Sequence, residues 1–254
     1  MSALLELRHL WKIVKDGLEE IAILKDVSCA IHRGECVTLT GPSGSGKTTL
    51  LTLLGCLDIP SKGSVTIDGR NTAMLSRVQL ADQRLHGIGF VFQDYNLIPT
   101  LTALENVEYV LWVQGKSSRE QRIEATRVLT RVGLGDFLHR RPNRLSRGQQ
   151  QRVAVSRAIV HRPQLILGDE VTANLDRATG MSLMDFLKQL NREDGITFVY
   201  ATHDPAMMGR AERVLHLLDG KLVRDSGYIP HDRRAYGLLK DPAAPTTPPA
   251  TDQP

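Results

Sequence analysis

Apolar and polar residues alternate in short stretches over residues 4–40, with breaks at Lys15-Asp16-Gly17 and His32-Arg33-Gly34-Glu35. Period-two alternation bounded by Gly and Asp predicts short strands joined by turns. Cys36-Val37-Thr38-Leu39-Thr40 breaks this alternation: the run is short, rich in β-branched residues and ends at a glycine. Such a run predicts a strand buried on both faces. Residues 47–57 carry leucines on more than one side of a helix, and residues 64–67 predict another strand, closed by the Asp68-Gly69 turn.

From about residue 95 to 160 the period becomes helical. Ser118 and Gln121 have the spacing of a capping box, and Ala125, Val128, Leu129 and Val132 fall at i, i+3, i+4 and i+7. Continuous apolar runs return at residues 164–167 and 196–200, with a helix expected at about 178–190 between them. Strands of this kind alternating with helices predict an α/β fold whose sheet is largely parallel and covered on both sides. Residues 241–254 are rich in Pro, Thr and Ala, offer no apolar face, and are expected to be a disordered tail.

Composition narrows the setting. With 254 residues and 41% apolar content the chain has enough to build a core. The net charge of +4 is a mild excess on this length, short of the concentrated stripe of a dedicated nucleic-acid binder. Its densest cluster, His139-Arg140-Arg141-Pro142-Asn143-Arg144, reads as a solvated loop, so no nucleic-acid partner is expected. Cys29, Cys36 and Cys56 form neither a C-x-x-C pair nor a zinc framework and are expected to be reduced, as in the cytosol. No run approaches the ~18 apolar residues of a membrane span, and the first residues lack a leader pattern.

Gly41-Pro42-Ser43-Gly44-Ser45-Gly46-Lys47-Thr48 fits G-x-x-x-x-G-K-[ST] at every fixed position, after an expected strand and before an expected helix. Glycines there let successive N–H groups curl around phosphate oxygens, and the positive end of the helix points at the same place. Lys47 is expected to reach the β- and γ-phosphates of a nucleoside triphosphate and Thr48 to bind Mg²⁺. Further on, Leu165-Ile166-Leu167-Gly168-Asp169-Glu170 places two acids at the C-terminal end of a strand. Asp169 is the natural partner of the metal, and Glu170 the natural base for an attacking water.

Leu145-Ser146-Arg147-Gly148-Gln149-Gln150-Gln151-Arg152 resembles the signature of ATP-binding cassette (ABC) ATPases. Other marks of that family stand around it in order: Gln93 resembles the glutamine-loop residue, Asn174-Leu175-Asp176 the D-loop, and His203 the switch histidine. The resemblance covers roughly residues 4–225. It implies a phosphate-loop NTPase of ABC type, with a mostly parallel core sheet, an antiparallel β subdomain and an inserted helical subdomain at about 95–160. The cassette is expected over residues 1–228, followed by an extension at 229–240 and the tail.

The resemblance also implies the chemistry. ATP is expected against Gly41, Pro42, Ser43, Gly44, Ser45, Gly46, Lys47, Thr48 and Thr49; Mg²⁺ at Thr48, Gln93 and Asp169; and catalysis at Glu170, His203 and Gln93. Two cassettes form a head-to-tail dimer in which Ser146, Arg147, Gly148 and Gln149 close over the partner's nucleotide, with the D-loop Asp176 beside them. Leu54-Gly55-Cys56-Leu57-Asp58, Asn96-Leu97-Ile98-Pro99 and Leu101-Thr102-Ala103-Leu104-Glu105-Asn106-Val107 resemble the macrolide-exporter, lipoprotein-release and cell-division group. In that group a groove near residues 93–110 receives a helix of a membrane permease, so the chain is expected at the cytoplasmic face of the membrane, powering export or force transmission. The alternative is a regulatory cassette in which ATP binding is the functional event.

Four positions depart from the family pattern. Arg147 replaces a glycine of the signature, Val171 a proline after the acids, Ala173 a glycine, and Val14 the aromatic that stacks on adenine. Trp11 either takes over that stacking or packs in the fold.

Overall fold

The computed structural model describes residues 3–17, 19–203 and 212–227. The expected extension at 229–240 and tail at 241–254 lie outside them. In chain order the elements are β1 (Ala3–Asp16), β2 (Glu19–His32), β3 (Cys36–Thr40), α1 (Lys47–Leu54), β4 (Lys62–Ile67), β5 (Arg70–Asn71), α2 (Arg77–Gly87), β6 (Ile88–Val91) and α3 (Ala103–Val113). They continue with α4 (Ser118–Arg131), α5 (Arg147–Ile159), β7 (Leu165–Asp169), α6 (Arg177–Asp194), β8 (Thr197–Ala201), β9 (Arg213–Leu218) and β10 (Lys221–Asp225).

One sheet is antiparallel, in the order β2-β1-β4-β5; the other runs β10-β9-β3-β8-β7-β6, parallel except for β10 at its edge. The central parallel strands β3, β7 and β8 are buried on both faces, as their continuous apolar runs predict. Ile166, Phe198 and Tyr200 point into a core shared with α3, α4, α5 and α6, while Leu165, Leu167, Val199 and Ala201 point into a core shared with α1 and the antiparallel sheet. All five residues of β3 are buried.

The short strands expected over residues 4–40 are two long ones, paired from Ala3↔His32 to Asp16↔Glu19. Bulges explain the difference. The register shifts between Leu7 and Leu10 and again before Lys12, and His9 (φ 46) and Asp26 (φ 56) take left-handed backbone. Each shift resets the alternation, so one strand reads as several. Helix α1 ends at Leu54, short of the expected residue 57, because Gly55 caps it and Cys56 has φ 56.

The capping box of α4 also differs from the expectation. The cap is Ser117 with Glu120, one residue ahead of Ser118 and Gln121. The Glu120 carboxylate accepts from the Ser117 N–H at 2.9 Å and from its hydroxyl at 2.7 Å, and a negative group suits a helix start. Gln121 is buried instead, its amide donating to the Lys116 carbonyl at 2.6 Å. The expected apolar stripe of α4 is buried throughout.

Buried Arg213 ties the edge of the parallel sheet to β2. It donates to both oxygens of Asp225 (2.9 and 2.6 Å), to Glu35 (2.8 Å) and to the Ala30 carbonyl (2.8 Å). The Arg213 hydrogen bonds hold the Asp225 carboxyl below its ordinary pKa. A carboxylate with a depressed folded pKa contributes stability above its unfolded value of about 3.9, and loses it as pH falls through the folded value. Breaking a buried pair costs about 3–5 kcal/mol; for the partly exposed Asp225, Asp225→Asn is expected to cost about 2 kcal/mol at pH 7. Urea unfolding across pH checks this: the gap between variant and parent narrows as pH falls below the unfolded value of about 3.9, and closes once pH has passed through the lowered folded value.

Candidate nucleotide site

Strand β3 ends at a loop that only glycine fits at its two tightest points. A Cβ on Gly41 (φ 144) would lie 2.1 Å from the Leu217 carbonyl oxygen, and one on Gly46 (φ 99) 2.8 Å from Leu24 Cδ2. The loop therefore threads between β9 and β2 and enters α1 with no side-chain cap. Uncapped N–H groups at a helix start form an anion site. Lys47 is largely buried and folds back over the loop, its Nζ donating to the carbonyls of Gly41 (2.8 Å) and Pro42 (2.9 Å). The buried Ser45 hydroxyl has no hydrogen-bond partner among the described residues. Pro42, Ser43, Gly44 and Thr48 are exposed at the loop surface and Thr49 half-buried behind it.

Strands β3, β8 and β7 are neighbours, so their C-terminal ends bring three more groups to this edge. The Thr48 hydroxyl donates to Asp169 Oδ2 at 2.8 Å. Burial holds the Asp169 carboxyl above its ordinary pKa; Glu170 adds to the rise, and Thr48 and Lys47 oppose it. A hydroxyl and a carboxylate beside a phosphate cradle are the hard oxygen donors that Mg²⁺ takes, together with phosphate oxygens and water, so the residues fit that ion. Glu170 has left-handed backbone (φ 48), its N–H donating to the Ala201 carbonyl at 3.1 Å. His203 Nδ1 stands 2.9 Å from Glu170 Oε1. An ionised carboxylate only accepts, so Nδ1 carries the proton and orients the carboxylate.

Ser146 caps α5, which starts at Arg147. The Ser146 N–H donates to Gln149 Oε1 (2.9 Å) and the Gln149 N–H to Ser146 Oγ (3.2 Å). Ser146 and Arg147 are exposed, and among the described residues no hydrogen bond joins residues 146–149 to the phosphate loop. Asp176 caps α6 through the Thr179 N–H (3.0 Å) and hydroxyl (2.6 Å), and Thr179 Cγ2 fills the space beside Gly148. The two Thr179 hydrogen bonds hold the Asp176 carboxyl below its ordinary pKa.

The Gln93 side chain is exposed and, among the described residues, makes no hydrogen bond with Thr48, Asp169 or Glu170. The Gln93 main-chain carbonyl accepts from Asn174 Nδ2 at 3.0 Å. Tyr95 (φ 61) and Asn96 (φ 46) follow in left-handed backbone, a strain of roughly 1–3 kcal/mol each that surrounding contacts must hold. Burial raises the Tyr95 phenol above its ordinary pKa against the pull of the nearby Arg147 cation.

Of the departures, Val171 is buried, its Cγ1 against Gly168, and its carbonyl accepts from Gln151 Nε2 at 2.7 Å. Ala173 closes the same turn by donating to the Glu170 carbonyl at 3.0 Å. This loop is thus held without the proline. Trp11 lies in register with Lys62 of β4, half-buried; Val14 pairs with Ile21, both exposed. Sequence reasoning missed Arg157 and Asn106, which hold the chain after Gln93. Their only signal was a polar residue on the buried side of an apolar helix stripe.

A family model described as ABC transporter matches residues 24–173. An uncharacterized ABC transporter ATP-binding protein of Thermotoga maritima is 46% identical over 87% of this chain and 94% of its own. The lipoprotein-releasing system ATP-binding protein LolD of Bordetella avium is 43% identical over 88% of this chain and 97% of its own. The macrolide export ATP-binding/permease protein MacB 1 of Yersinia pestis is 44% identical over 89% of this chain but 35% of its own. Among solved structures, the dimeric ATP-binding cassette MJ0796, in a post-hydrolysis state with ADP and Pi, is 45% identical with a TM-score of 0.82, covering 87% of this chain and 97% of that one. With the phosphate loop, the acids and the histidine at one sheet edge, these matches show that the chain belongs to the ABC transporter family, as an ATP-binding cassette that hydrolyses ATP.

Proposed function

We propose that the chain powers a membrane permease by cycling between an ATP-bound dimer and an open state. One observation carries this reading: Lys47 on its loop, the Thr48–Asp169 pair and the Glu170–His203 pair meet at the ends of three adjacent parallel strands. Residues 41–49 hold the triphosphate, with Lys47 leaving its loop carbonyls for the phosphates. Thr48, Asp169 and the Gln93 side chain hold Mg²⁺, which neutralises phosphate charge when bound. Glu170 takes the proton of the water that attacks the γ-phosphorus, and ADP leaves with the electrons of the broken P–O bond. His203 keeps the accepting carboxylate aimed.

Ser146, Arg147, Gly148 and Gln149 face the nucleotide of a second copy, in keeping with the dimer described for MJ0796. The start of α5 supplies the N–H groups of Arg147 and Gly148 for its γ-phosphate. Asp176 stands at the same interface. In this division residues 1–228 form the cassette and about 95–160 its helical lobe. The groove at residues 93–110, with half-buried Tyr95, Leu97, Ile98 and Leu101, takes a permease helix. Among the described residues no helix is long and apolar enough to cross a membrane, and the cassette works peripherally at the cytoplasmic face. The names of the relatives, macrolide export for MacB and lipoprotein release for LolD, support export as the work done, with force transmission its alternative form.

Phosphate release from ATP by the purified chain tests the reading. Turnover is expected with Mg²⁺ and is expected to fall to background when EDTA removes it; metal-independent release would overturn the assignment of Thr48 and Asp169.

A further inference from the structure

The segment after Gln93 lies outside helix and strand until α3 begins. Side chains from three other places hold its main chain. Asn174 grips the Gln93 carbonyl, and buried Asn106 of α3 accepts from the Ile98 N–H at 2.8 Å and donates to three nearby carbonyls. Between them stands Arg157 of α5. One of its terminal nitrogens donates to the Asn96 carbonyl at 2.6 Å and the other to the Tyr95 carbonyl at 2.9 Å.

This contact is selective for one backbone conformation. Two successive carbonyls point the same way when both residues are helical, and here both are left-handed, at φ 61 and 46. The planar fork of a guanidinium matches two such oxygens at once, which a lysine ammonium does not. If the loop straightens, both bonds are lost together. Among the described residues no ion pair engages Arg157, and burial lowers its pKa. The two left-handed residues are held by their surroundings, the partly desolvated Arg157 cation among them, and backbone strain held in this way clusters at switch elements.

Helix α5 carries Arg157 about three turns, roughly 16 Å, from Ser146 at its start. We infer that Arg157 is a positioning residue that locks the Gln93 loop to the signature helix, so that the two move as one body when the nucleotide site changes state. The inference rests on the reading of Gln93 and residues 146–149 as nucleotide-facing. It gives the groove beside Tyr95 and Leu97 a mechanical route to the dimer interface.

Arg157→Lys keeps the charge and loses the fork; Asn96→Val, at an exposed position, keeps Arg157 and disfavours the left-handed backbone. Each variant is compared with the parent for binding of a fluorescent ATP analogue, melting temperature and steady-state turnover. Dimerisation is followed with ATP in a Glu170→Gln background. Both variants are expected to bind the analogue within about twofold of the parent while kcat falls, and the ATP needed for half-dimerisation rises, by about tenfold. The double variant is expected to fall no further than either single one, since both break one contact. Turnover and dimerisation within about twofold of the parent in Asn96→Val would overturn the inference even if Arg157→Lys does not fold. So would losses matched by equal losses in analogue binding. A parent without Glu170-dependent turnover would instead sink the proposed function.

Discussion

Glu170→Gln is expected to cut ATP turnover by about three orders of magnitude while ATP binding stays within a few fold, the size of effect that removing a general base produces. The substitution is isosteric. Glu170 sits in left-handed backbone at φ 48, fixed by its N–H to the Ala201 carbonyl, and a glutamine can take the same backbone and accept from His203 Nδ1 through its amide oxygen. What it cannot do is hold a proton taken from water. Because binding and chemistry then separate, the variant is expected to accumulate with ATP as a dimer, seen as a doubling of mass by light scattering. A variant that stays monomeric with ATP would remove the dimer from the cycle, and one that still released phosphate at a tenth of the parent rate would remove Glu170 as the base.

The parts of this site that could be read from the sequence are local ones. The phosphate loop lies between a five-residue apolar strand and a helix within one stretch of chain, and the acids end a run whose burial follows from its composition. Position along the chain is enough to place such groups at a sheet edge. Phase was harder to read. Ser117/Glu120 and Ser118/Gln121 both satisfy the spacing of a capping box, and only the inward turn of Gln121 onto the Lys116 carbonyl separates them. In β1 the bulge at His9 hid a continuous strand. Contacts between distant residues were hidden altogether: Arg157 meets Asn96 across 61 positions, and nothing near either residue announces the other. The same holds for Gln151, which stands in the signature stretch but serves the loop after the acids through Val171.

Lys47→Ala is expected to weaken ATP binding by at least about a hundredfold, close to 3 kcal/mol, the loss when one partner of a desolvated charge pair is truncated. The geometry explains why a lysine already engaged in its own loop still matters so much. Its ammonium is held by the carbonyls of Gly41 and Pro42, so it is oriented at the mouth of the cradle before nucleotide arrives. Moving from neutral carbonyls to phosphate oxygens exchanges ordinary hydrogen bonds for charge-assisted ones, which are roughly twice as strong. Alanine loses that gain and also leaves the triphosphate with only the loop N–H groups and bound Mg²⁺ to balance its charge. Calorimetric titration with ATP measures the loss directly, and a melting curve alongside it separates a binding defect from an unfolded loop. An alanine variant that folds and binds ATP within about threefold of the parent would mean that the loop's backbone N–H groups and Mg²⁺ hold the phosphates without the lysine, and Lys47 would then be a loop staple only.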